Sequence, residues 1–137
     1  MDVDKLRVFF AAQKSVRLAY LFGSYAKGKV GPLSDVDVAV LLDRKLIKEE
    51  RSKMQLELIA EISSLLKTDR VDLVVINDSP IDLNYEIIKH GKIVHVKDPG
   101  ERVDMESMIL SRYLDRRYYV QRGLNTFLGK IIERRGL

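Results

Sequence analysis

Four short runs of branched, aromatic and other apolar residues recur along the chain, and their spacing does most to restrict its fold. They are RLAYLF (17–22), DVDVAVLL (35–42), RVDLVVIN (70–77) and KIVHV (92–96). Each has the length and bounding turn residues of a strand. Apolar residues at helical spacing lie between and around them, over 4–14, 46–67 and 79–91. The last of these opens on Ser-Pro and closes on Gly, the usual start and stop signals of a helix. Strands alternating with helices predict an α/β or α+β domain. At 137 residues the chain has the size of one domain. DPGE (98–101) is the one internal boundary in the pattern, so residues 1–98 are expected to form a domain and 99–137 a helical segment packed on it.

The second run carries an oddity. Asp35 and Asp37 stand one residue apart where the strand otherwise reads as buried. Side chains alternate along a strand, so both acids share a face, with Cα atoms ~6.6 Å apart at a rise of ~3.3 Å per residue. Like charges that close raise a pKa unless a cation relieves them. The third run offers a further acid, Asp72, flanked by Val71 and Leu73. If the two strands are neighbours, three carboxylates can hold two metal ions ~3.5–4 Å apart. The chain has no cysteine and two histidines, so the donors are oxygens and the metal Mg²⁺ or Mn²⁺.

Alone, Asp-X-Asp at a strand start is more often a turn or a cap than a catalytic pair. Here it follows Gly23-Ser24, which closes the first strand run and opens a segment that could begin a short helix. Backbone N–H groups in such a place attract an anion, and glycine allows close approach. Ser24 adds a hydroxyl, and Lys27 a positive charge one turn on. A phosphate cradle beside a metal holder is what nucleotidyl transfer requires.

Gly23-Ser24, ten residues, then Asp35-Val36-Asp37 resembles the signature of the DNA polymerase β-like nucleotidyltransferases. The GSYAKG form, the short chain and Asp72 look like the minimal members, above all the MntA-type antitoxins paired with HEPN toxins. The resemblance covers roughly residues 17–97. It implies a mixed sheet of about four strands flanked by helices. It also implies Asp35 and Asp37 on both metals, Asp72 on one and accepting a proton, and Gly23 and Ser24 on the β- and γ-phosphates of ATP. Lys27 stands where the family often has Arg, and lysine lacks the bidentate fork. The implied reaction transfers AMP from ATP to a tyrosine of the HEPN ribonuclease toxin, in a hetero-oligomer with it. Two rivals remain: a nucleotidyltransferase for a small molecule or RNA end, and a non-enzymatic toxin-binding module.

The other features are weaker. Net charge is +4. Residues 101–137 hold eight Lys/Arg against five Asp/Glu, and residues 1–100 sixteen against fifteen. The tail's apolar stripe, Leu124, Phe127/Leu128 and Ile131/Ile132, is expected to lie on the domain with the basic face in water. Its Arg112, Arg116, Arg117, Tyr118, Tyr119 and Arg122 could instead form a partner surface. Direct nucleic-acid binding has no aromatic-sheet signature behind it. His90 and His95 read as structural, and Tyr25 as packing or a lid. No run has the length of a membrane span and the N-terminus lacks a signal-peptide pattern, so the cytoplasm is the expected compartment.

Overall fold

In the computed structural model, residues 2–23 and 35–136 are described. The elements run α1 (Val3–Ala11), β1 (Val16–Phe22), β2 (Val36–Leu42), α2 (Lys48–Leu66), β3 (Val71–Val75), α3 (Ile81–His90), β4 (Lys92–Val96) and α4 (Pro99–Arg134). Local chemistry sets several of the helix starts. The Asp2 carboxylate accepts from the N–H groups of Asp4 and Lys5 to begin α1. Glu50 accepts from the Ile47 N–H at the start of α2 (3.0 Å). Asp98 accepts from the Gly100 N–H, and Pro99 occupies the first turn of α4, where its missing donor costs nothing.

The four strands form one mixed sheet in the order β3-β2-β1-β4. β1 is antiparallel to both β2 and β4, while β2 and β3 are parallel. The parallel pair needs a crossover, and the nineteen residues of α2 supply it. The sheet is covered on both sides. On one face Leu6 and Phe10 of α1 and Leu58 and Ile62 of α2 pack with Val38, Val40 and Leu73. On the other, Ile87 of α3 and Met105 and Ile109 of α4 pack with Leu18, Tyr20, Leu41 and Ile76.

The start of α4 is therefore part of the core, although DPGE marks a boundary in the sequence. Polar ties hold it to β1. Arg17 Nε donates to Glu101 (2.8 Å), and the Tyr20 hydroxyl donates to Glu106 (2.7 Å), which also accepts from Arg102. Burial, then the Glu106 carboxylate, pushes the Tyr20 phenol well above its ordinary value. Tyr113 stacks on Tyr85 of α3 at 3.7 Å between ring centroids. Beyond this the tail departs from expectation. Leu124, Phe127, Leu128 and Ile132 are exposed, because α4 runs past the body and nothing described in the chain lies over them.

A bidentate ion pair links α2 to the loop after β3. Arg51 donates through Nε and Nη2 to both oxygens of Asp78 (2.8 and 2.7 Å) and through Nη1 to the Leu46 carbonyl. The Arg51 guanidinium holds the Asp78 carboxyl below the usual carboxylate value of 3.8. A depressed folded pKa adds stability that is present above the unfolded pKa and lost as pH falls through the folded one. Arg51→Leu should therefore lower the urea midpoint at neutral pH. The gap between the variant's and the wild type's urea midpoints should close below pH 3.8.

Candidate active site

The site is assembled by strand register. In the parallel pair, Val36 lies beside Val71 and Asp37 beside Asp72. The Val36 N–H donates to the Arg70 carbonyl (2.8 Å), carrying the pairing one residue back. The tripeptides Asp35-Val36-Asp37 and Arg70-Val71-Asp72 thus run side by side, on strands ~4.8 Å apart. The two valines face the α1/α2 side, where both join the first cluster. By alternation, Asp37 and Asp72 share the opposite face, with Ala39 and Val74 of the second cluster.

Three sequence-predicted carboxylates are therefore brought to one end of the β2/β3 pair. Asp37 is partly buried, while Asp35 and Asp72 are exposed. Burial, then the nearby Asp72 and Asp35 charges, raises the Asp37 carboxyl above its usual value. Asp35 lies just outside β2, and its carboxylate is 3.8 Å from the Arg70 guanidinium. Among the described residues no three acidic or histidine side chains form a metal cage as they stand. The donor set still suits a hard divalent ion: oxygen ligands only, with mutual repulsion that such an ion would relieve. Asp35 would exchange its contact with Arg70 for that ion.

Gly23 closes the site from the side of β1. Phe22 is the antiparallel partner of Asp37. Gly23, the next residue, has φ +67°, in the left-handed region. A Cβ at Gly23 would overlap the Asp37 carboxylate. The glycine of the Gly-Ser pair and the second aspartate of the Asp-X-Asp pair are thus in direct apposition. Ser24, Tyr25 and Lys27 lie outside the described residues.

Arg70 was missed in the sequence. The signal was present in the matching tripeptides DVD and RVD, which coincide once the two strands are laid parallel and in phase. The two histidines lie elsewhere. His90 is 3.6 Å from Glu86, one turn earlier in α3. His95 has a buried Nε2 without a hydrogen-bond partner, and burial followed by the Lys97 charge lowers its pKa. No helix among the described residues is long and apolar enough to cross a membrane.

Residues 4–100 match the family described as polymerase beta, nucleotidyltransferase. No curated protein matches the chain significantly. Among solved structures, a toxin-antitoxin with AMP-PNP aligns at a TM-score of 0.74 and 24% identity, over 93% of this chain and 99% of the other. A tri-AMPylated Shewanella oneidensis HEPN toxin in complex with MNT antitoxin gives 0.67 and 23%, over 92% and 95%. The toxin-antitoxin MntA-HepT gives 0.63 and 23%, over 92% of each. At these identities the likeness is one of fold.

Proposed function

As the chain belongs to the polymerase β nucleotidyltransferase family, we propose that it transfers AMP from ATP to a tyrosine of a cognate HEPN toxin and so neutralises it. The observation that carries this reading is the apposition of Gly23, Asp37 and Asp72 across three neighbouring strand ends. The AMP-PNP and the AMPylated toxin in the two aligned complexes support the nucleotide and the acceptor class.

Each residue then has a task. Asp35 and Asp37 would hold two Mg²⁺ ions, or Mn²⁺, with Asp72 on one of them. Such ions supply positive charge against the triphosphate. Gly23 lets the nucleotide approach the backbone, and Ser24 donates its hydroxyl to the β- and γ-phosphates. Lys27 adds a point charge there. Asp72 accepts the proton of the attacking tyrosine hydroxyl. The tyrosine oxygen bonds to the α-phosphorus as the bond to pyrophosphate breaks, so one pyrophosphate leaves for each AMP transferred. ATP supply makes the cytoplasm the site of action.

The test uses the purified protein, α-labelled ATP, Mg²⁺ and the cognate HEPN toxin that this reading requires. Label should appear on a toxin tyrosine, and the toxin's ribonuclease activity should fall in step. Label on a small molecule or an RNA 3′ end would shift the acceptor class. Neutralisation of the toxin with ATP left intact would leave a binding module.

A further inference from the structure

The last ion pair tying α4 to the body among the described residues is Arg116–Asp82, at 3.2 Å. Eighteen residues of the helix follow it, 117–134. At 1.5 Å per residue they extend ~27 Å. Their apolar positions are ordered. Seven-residue steps run Tyr113, Val120, Phe127 and Leu114, Leu128, the second interrupted by the polar Gln121, and Leu124 and Ile131 lie between the two columns, in the column that Arg117 begins. That is the three-in-seven face of a helix inside a bundle. Yet Val120, Leu124 and Phe127 are 57%, 47% and 58% exposed. Gly123 and Gly129 interrupt the segment, although a Cβ at either would meet nothing within 4 Å. They weaken the helix when it stands alone.

Charge selects the occupant. Residues 111–135 hold seven Lys/Arg against two Asp/Glu. Two copies paired along this face would bring two strongly basic helices, each with Arg117 in the seam, within a Debye length of each other. A partner helix with acidic flanks meets no such opposition.

We infer that residues 117–134 of α4 dock an amphipathic helix with acidic flanks, contributed by the HEPN toxin. This rests on the reading of the protein as an antitoxin. It adds that toxin binding is carried by a surface separate from the carboxylates that do the chemistry. Val120, Leu124 and Phe127 enter the partner's apolar seam, while Lys130 and Arg134, at the edge of that face, meet its acidic rim.

The test compares the full-length wild type with Leu124→Asp/Phe127→Asp and with Lys130→Glu/Arg134→Glu. Binding to purified toxin is measured by titration calorimetry at low and high salt. The apolar pair should weaken binding about 30-fold or more, the loss expected of a central anchor. The charge pair should weaken it at low salt and flatten the salt dependence. Magnesium-dependent AMP-PNP binding should be unchanged in both, since neither touches the site. Toxin binding at wild-type strength by the apolar variant overturns the docking surface and leaves the antitoxin reading intact. So does a homodimer of the wild type that this variant converts to monomer. A wild type that does not bind the toxin overturns both.

Discussion

Asp37→Asn should abolish nucleotidyl transfer and at the same time raise the melting temperature of the metal-free protein at neutral pH. The opposite signs have one cause. Asp37 is partly buried and stands near Asp72 and Asp35, and all three influences disfavour its charged form. Without a cation, folding has to bring these charges together. An amide of nearly the same shape removes the central charge, so the folded state gains. The same change removes a charged oxygen donor that the metal and triphosphate require. Charge stabilisation by such an ion is worth several kcal/mol, so the rate should fall about a thousandfold or more. Magnesium should raise the melting temperature of the wild type by mass action, and should do so far less for Asp37→Asn. Labelled-ATP transfer and thermal scans with and without Mg²⁺ read both effects. A variant melting at or below the wild type would show that the carboxylate is already neutralised within the fold.

The contrast with Asp35 is instructive. Its carboxylate lies 3.8 Å from Arg70 and is well exposed, so Asp35→Asn should leave stability nearly unchanged. Two aspartates in the same motif thus differ in cost because one has a neighbouring guanidinium and the other has neighbouring carboxylates. The pair itself was legible in the sequence, since charges on an otherwise apolar strand stand out at period two. The four strands and the helix of 46–67 were legible for the same reason, strong periodicity bounded by Gly, Pro and Asp, although the third strand ends at Val75 and not at Asn77. The family's fold was implied by the resemblance of the Gly-Ser and Asp-X-Asp motif. The partner of Asp35 was not. It depends on the phase in which β2 and β3 pair, and periodicity within one run does not carry the phase between two.

The ends of the chain's last helix show the other limit. DPGE reads as a boundary because Pro and Gly usually interrupt elements. Here Asp98 caps and Pro99 starts, so the same residues begin α4 and feed Met105 and Ile109 into the core. The tail's apolar stripe was legible, but not its exposure. A stripe records that a face is to be covered, and the covering group need not belong to the same chain.

Gly23→Ala should cost more activity than its size suggests. Two independent constraints meet at this residue. Its φ of +67° lies where a side chain adds strain, of order 1 kcal/mol for a single residue. The added methyl would also overlap the Asp37 carboxylate, so the group that has to give way is itself part of the site. Either the carboxylate turns away or the backbone after β1 shifts. Both outcomes move the site, since Phe22 and Asp37 are paired across the two strands. A displacement of ~1 Å at a reacting centre is worth about a hundredfold in rate. Transfer should therefore fall at least about a hundredfold, with a stability loss of about 1–3 kcal/mol by urea denaturation. Gly23→Ala/Asp37→Asn separates the two constraints. The double variant keeps the backbone strain and the steric overlap, because asparagine is as large as aspartate. Gly23→Ala/Asp37→Ala keeps the strain alone. Recovery of stability in the second double variant and not in the first would assign the larger share to the collision. Equal losses in both would assign it to the backbone, and the glycine would then serve the turn after β1 more than the carboxylate beside it.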